Sequence, residues 1–101
     1  MAFPMAELEP EEVDLHGNWL VQQDHSVVAD VIEQRIDWLT SHKLERIAND
    51  ASGWKVLFRD PRDGRLWELT YPHGEMHGGG PRRLHVISRD KAAAKYEHAA
   101  I

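Results

Sequence analysis

The sequence predicts one α+β domain, in which an antiparallel sheet of three to four strands is covered by one long amphipathic helix and followed by a short C-terminal helix. Three observations predict it: apolar residues at helical spacing from Val28 to Leu39, two alternating segments around a turn at residues 60–64, and a helix-capping pattern at Ser88. A chain of 101 residues, 42% of them hydrophobic, is long enough to bury one core.

The first predicted helix extends from about residue 27 to residue 41. Its apolar residues are three and four positions apart, so they line one face, and Trp38 widens that face. Before it, Trp19 to Val21 is either a short strand or the entry to this helix. The helix is long enough to cover a small sheet.

The strongest local pattern is a β-hairpin. Residues 54–59 and 66–71 both alternate between apolar and polar positions, and residues 60–64 contain the Pro and Gly of a tight turn. The alternation places Trp54 and Trp67 on the apolar side, so we expect both in the core.

Weaker patterns complete the sheet. A strand is predicted at residues 44–50, followed by a turn at residues 51–53. Residues 72–81 form a loop with four glycines, and Arg83 to Ile87 is a further strand. Ser88 caps a last helix that extends to about Tyr96.

Charge is unevenly distributed along the chain. Residues 1–34 contain eight acidic and no basic residues, although the net charge of the whole chain is −5. We divide the chain into an acidic N-terminal arm at residues 1–13 and a domain at residues 14–101. Two interpretations of Glu7 to Asp14 stay open: a solvated arm, or a docking segment for a basic partner.

The residues that could carry catalysis do not form a convincing site. His73 and His77 are four residues apart with Glu75 between them, but the glycines at 74 and 78–80 prevent the helix that a zincin needs. No serine lies in a nucleophile elbow. We therefore predict no enzyme activity, no metal and no cofactor, and keep an enzyme that uses His73, His77 and Glu75 as a third hypothesis.

Partner contacts are predicted around the hairpin turn and the glycine-rich loop. The predicted contact residues are Asp60, Asp63, Glu68, Glu75, Gly78, Gly79 and Gly80. The alternative is a nucleic-acid or small-ligand binding module that uses the same loop and nearby arginines, namely Arg59, Arg62, Arg65, Arg82 and Arg83. Interleaved acidic residues and the negative net charge favour protein recognition.

Two features that the sequence lacks predict the cellular compartment of the protein. There is no cysteine, which is compatible with a reducing cytoplasm. Residues 1–14 hold no basic residue and no apolar run of a secretory signal or membrane span. We predict a cytoplasmic protein without a membrane partner.

The order and spacing of several short motifs resemble the immunity protein 27 family. They are Gly53-Trp54, Arg59-Asp60-Pro61, Asp63-Gly64-Arg65, Trp67-Glu68-Leu69, Tyr71-Pro72 and His77-Gly78-Gly79-Gly80-Pro81. The positions that we take as structural signatures are Gly17, Trp19, Gly53, Trp54, Pro61, Gly64, Trp67, Tyr71 and Pro81. The resemblance covers roughly residues 13–96.

The resemblance implies an α+β binding protein of bacterial polymorphic toxin systems. Such a protein has no catalytic duty and neutralises a cognate toxin domain by protein–protein contact. If the toxin is a nuclease, its substrate-binding face is basic, and the acidic N-terminal third would complement it. No nucleic-acid partner is expected, and the identity of the toxin and the oligomeric state are left open.

Overall fold

The computed structural model describes residues 6–17, 19–21, 27–29, 31–72 and 80–97. These ranges contain strands, α-helices and one π-helical segment at Leu39–Lys43. The strands are β1 (Asp14–His16), β2 (Trp19–Val21), β3 (Val27–Ala29), β4 (Glu45–Asn49), β5 (Val56–Arg59), β6 (Leu66–Thr70) and β7 (Arg83–Ile87), and the helices are α1 (Val31–Trp38) and α2 (Arg89–Lys95).

Five of the strands form one antiparallel sheet in the order β1-β7-β6-β5-β4. The α+β class and the predicted hairpin are confirmed, with Val56 opposite Leu69 and Arg59 opposite Leu66. The sheet is larger than the predicted three to four strands because Asp14–His16 pairs with the edge of β7. A three-residue strand is too short to show an alternating pattern.

The prediction of one long first helix is wrong. Only Val31–Trp38 is α-helical, and Val27–Ala29 instead pairs with Trp19–Val21 as a separate two-stranded sheet. The β-branched residues of Val27–Ala29 favour a strand once a partner strand supplies the backbone hydrogen bonds. After Trp38 the helix widens into π geometry, in which the Leu44 N–H donates to the Leu39 carbonyl at 2.8 Å.

Both faces of the sheet are covered. On one face, Ile36 and Leu39 pack on the sheet, and on the other face α2 contributes Ala92, with Tyr96 following it. The buried sheet residues under α1 are Leu15, Phe58, Trp67, Leu69 and Leu84, and those under α2 are Leu57, Leu66 and Ile87. The predicted two-layer arrangement therefore lacks the helix layer on the second face.

The tryptophans separate into different environments. Trp67 is 0% exposed, which confirms its predicted place in the core, and Trp38 packs half-buried against the same core. The prediction for Trp54 is wrong, because its side chain is 57% exposed. It lies before the first residue of β5, Val56, so the alternation of that strand does not extend to it.

The described part of the N-terminal segment packs on the domain. Leu8 is 3% exposed. The Arg35 guanidinium donates to the Ala6 carbonyl at 2.9 Å and to the Glu12 carboxylate at 2.6 and 2.7 Å. Arg65 donates to the carbonyl oxygens of Glu9, Pro10 and Glu12. The described part of this segment therefore contacts the domain through Leu8 and these hydrogen bonds, and the division of the chain at residue 13 stays a prediction.

None of the helices in the described ranges is long and apolar enough to cross a membrane.

Candidate partner-binding surface

Ion pairs connect the acidic first third of the sequence with the basic remainder of the chain. Four of its described acidic residues contact an arginine that is far away in the sequence. The pairs are Glu7–Arg62 at 2.7 Å, Glu12–Arg35 at 2.6 Å, Asp14–Arg83 at 2.7 Å and Glu33–Arg82 at 2.5 Å. These ion pairs therefore partly neutralise the negative charge that could steer a partner toward the chain.

The same pairs occupy the arginines of the alternative nucleic-acid hypothesis. Besides Arg62, Arg82 and Arg83, the other two contact carboxylates within 3 Å, namely Glu45 for Arg59 and Asp63 for Arg65. A phosphate would have to compete with these carboxylates for each guanidinium. No described contact favours that alternative.

Glu12 and Asp14 both have lowered pKa values. Hydrogen bonds from Arg35 hold the pKa of Glu12 at about 2, against its usual 4.5. Hydrogen bonds from Arg83 lower the pKa of Asp14. Both carboxylates are therefore charged and bound at neutral pH.

The predicted contact residues of the hairpin turn build the turn itself. Asp60 is 3% exposed, its carboxylate accepts the Arg62 N–H at 2.9 Å, and its carbonyl accepts the Gly64 N–H at 2.7 Å. Gly64 has φ of 77°, the left-handed conformation predicted for this turn. The Asp63 carboxylate accepts the Arg65 N–H at 2.9 Å. Asp60 is thus buried in the turn while Asp63 is exposed, and contact with a partner by either residue stays a prediction.

Glu68 is the largest departure from the predicted site. A residue that contacts a partner should be exposed, but Glu68 is 1% exposed, because α2 covers that face of the sheet. His85 Nε2 lies 3.0 Å from one of its carboxylate oxygens, Lys95 Nζ donates to both oxygens at 3.2 and 3.3 Å, and the Tyr96 hydroxyl donates at 2.9 Å. We call these four residues the Glu68 network.

Electrostatics keep Glu68 ionised. Burial raises its pKa, but the hydrogen bonds from His85, Tyr96 and Lys95 outweigh burial and lower the pKa to about 2. Burial and the neighbouring carboxylate raise the pKa of Tyr96. The network is a satisfied internal ion site, so its carboxylate is not free to contact a partner.

The remaining predicted residues divide between described and undescribed parts of the chain. Gly80 and Pro81 are buried, Pro61 is exposed in the hairpin turn, and Gly53 lies in the turn before β5. Glu75, Gly78 and Gly79 lie outside the described residues, as do His73, His77 and the side chain of Trp19. Contact by the glycine-rich loop stays a prediction. Within the described ranges, no group of three or more potential ligands could hold a metal ion.

The surface feature that sequence patterns missed is an aromatic groove. The Trp54 ring meets the ring of Tyr71 edge to face, with centroids 5.3 Å apart and an interplanar angle of 81°. Beside these rings lies a groove of about 570 Å³ whose floor includes Val56, Phe58 and Leu69. Its polar rim is formed by Asp37, Thr40, Ser41, Arg46, Asn49 and Arg82. We call Trp54, Tyr71 and this floor the aromatic groove.

Residues of the helical segment and of the sheet line the groove together. Asp37 belongs to α1, and Thr40 and Ser41 belong to the π-helical segment that follows it. Tryptophan, tyrosine and arginine are the residue types that most often dominate binding energy at protein interfaces.

Comparison with known families gives a match to the model of immunity protein 27 over residues 22–88. No curated protein and no solved structure matches the chain. The matched range includes the hairpin, Trp54 and Tyr71, and therefore both rings of the aromatic groove.

Proposed function

Because this chain belongs to the immunity protein 27 family, we propose that it binds a cognate bacterial toxin domain and neutralises it by direct protein contact. The chain performs no chemistry of its own and acts by covering the toxin's active site or the access to it. The family match carries the proposal, and the aromatic groove supports it by offering a contact surface.

The aromatic groove is the centre of the proposed interface. Trp54 is 57% exposed in the free chain, so a partner that covers it removes about 100 Å² of aromatic surface from water. At about 25 cal/mol per Å² this burial contributes about 2.5 kcal/mol. Contact with Tyr71 orients the indole ring before the partner arrives, which reduces the ordering cost of binding.

A nuclease is the class of toxin that we favour, and the cytoplasm is the compartment in which we place its neutralisation. Nucleases bind polyanions and therefore present basic surface. Glu9 and Glu11 are exposed near the N-terminus and can attract such a surface over distances of about a Debye length. The paired acids Glu7, Glu12 and Asp14 add less to this attraction.

Truncation of Trp54 tests the groove. We expect Trp54→Ala to weaken toxin binding by at least about 30-fold, because hot-spot residues contribute 2 kcal/mol or more. The melting temperature should change little, since the side chain is largely exposed. Titration calorimetry with the purified toxin domain measures the affinities of the variant and of the unmodified chain.

Val13→Ala is the matched control. Val13 is also 57% exposed but lies before β1, at the opposite edge of the sheet. The toxin affinity of the Val13→Ala variant should stay within about threefold of that of the unmodified chain. Equal effects of the two substitutions would place the interface away from the groove.

Co-expression tests the function itself. The chain is produced in cells together with the toxin domain encoded beside it, and survival and co-elution on a sizing column are scored. We expect survival and a stable complex. Cell death without association would exclude the proposed function.

A further inference from the structure

A second groove, of about 350 Å³, lies on the α2 side of the sheet. We infer that this cationic groove binds carboxylates of an acidic segment of the toxin, an inference that rests on the proposed function. The residues that carry the inference are Lys55, Glu68, Thr70, Arg83, His85 and Lys95.

The charges that the groove presents are basic. Among its described lining residues, Lys55, Arg83 and Lys95 are cationic, and Glu68 is the single acid. Glu68 is 1% exposed and already bound within its network, so it offers no negative surface to a partner. Arg83 and Lys95 also pair with Asp14 and Glu68, so the positive charge that the groove presents is carried chiefly by the exposed Lys55.

The sheet register places these groups together. Glu68 is opposite His85, and Thr70 is opposite Arg83, so the pairs form successive rows on neighbouring strands. Helix α2 ends at Lys95, which donates to Glu68 in the first row. The second row, Thr70 and Arg83, lines the groove together with the first.

The positive charges that line the groove suit a carboxylate ligand better than a nucleic-acid backbone. Arg83 already binds the Asp14 carboxylate at 2.9 and 2.7 Å, and Lys95 shares its charge with Glu68. Lys55 is exposed and lines the groove. Lys55 can pair with a single carboxylate, whereas a polyphosphate backbone needs several free cations.

The two grooves meet at one end of the sheet. Trp54 lines the aromatic groove, and its neighbour Lys55 lines the cationic groove. Tyr71 lines both. One toxin surface that wraps around this end would therefore place an apolar side chain in the first groove and a carboxylate in the second.

Two probes of the free full chain identify the ligand class. Amide resonances are followed by NMR during titration with hexaglutamate and with dodecathymidylate at equal charge concentration. We expect hexaglutamate to shift Lys55, Thr70 and Arg83, and Lys55→Glu to remove most of that shift. No shift, or larger shifts of the same residues with the oligonucleotide, would overturn the inference.

Binding of the purified toxin domain supplies the second test. Lys55→Glu should weaken binding about tenfold, and more at low salt, because the reversed charge repels the acidic segment. The matched control Lys91→Glu makes the same charge change on α2, where Lys91 is exposed and does not line the groove. Equal affinities of the two variants would overturn the inference, whereas failure of the unmodified chain to bind would reject the proposed function instead.

Discussion

Replacement of Glu68 by glutamine should lower the free energy of unfolding by about 3 kcal/mol at pH 7. The amide keeps the size of the side chain but loses the charge that accepts hydrogen bonds from Lys95 and Tyr96. Hydrogen bonds to charged groups contribute about 1.5–3 kcal/mol each. For a chain of this size the melting temperature should fall by about 12–24 °C.

The pH dependence of stability has a definite sign. The folded pKa of Glu68, about 2, is below its usual value of 4.5. Its contribution is therefore fully present above pH 4.5 and is lost as the pH falls toward 2. The shift corresponds to about 3 kcal/mol. Glu12 has the same shift, so Glu68→Gln should remove only part of the slope.

Urea unfolding at several pH values between 6 and 2.5 measures this effect. The control is Glu45→Gln, which removes an exposed carboxylate paired with Arg59 at 2.9 Å on the neighbouring strand. An exposed pair contributes less than about 1 kcal/mol. If Glu68→Gln had the unmodified pH slope, the Glu68 network would not be the ion site described above.

Gly17→Ala should be more damaging than Gly53→Ala or Gly64→Ala, at about 3 kcal/mol. A methyl group at Gly17 would lie 1.9 Å from a carboxylate oxygen of Glu33. That carboxylate is buried and accepts hydrogen bonds from the backbone and guanidinium N–H groups of Arg82 at 3.0 and 2.5 Å. Moving it disrupts charge-assisted bonds.

A double-mutant cycle separates the clash from general effects. If the methyl group acts through Glu33, Gly17→Ala combined with Glu33→Ala should cost little more than Glu33→Ala alone. Gly64→Ala, where nothing lies within 4 Å of the added methyl, should cost only about 1–2 kcal/mol for its positive φ of 77°. Additive costs at positions 17 and 33 in thermal unfolding would contradict the clash.

Local patterns predicted the local elements. The hairpin β5–β6, strand β7 and helix α2 agree with the predicted order, and the Ser88 hydroxyl accepts the Lys91 N–H at 3.2 Å as its capping pattern requires. Each of these rests on neighbouring residues, such as the Pro and Gly of the turn. Their physical causes are therefore visible in the sequence.

Long-range contacts determine what was not predicted. Val27–Ala29 became a strand because Trp19–Val21 pairs with it, and Glu68 became buried because α2 folds over the second face. In the sequence, Leu57 and Leu66 indicate that second face, because they are apolar at hairpin positions that the alternation predicts to be polar. The prediction for Trp54 is wrong because the alternation of β5 begins at Val56 and does not continue into the turn before it.

Inhibition of the purified toxin domain by the purified chain tests neutralisation by direct contact. We expect toxin activity to fall in proportion to the chain added and to vanish at a fixed molar ratio, without any other component. Toxin activity that stays unchanged in a large molar excess of folded chain would contradict the proposed function.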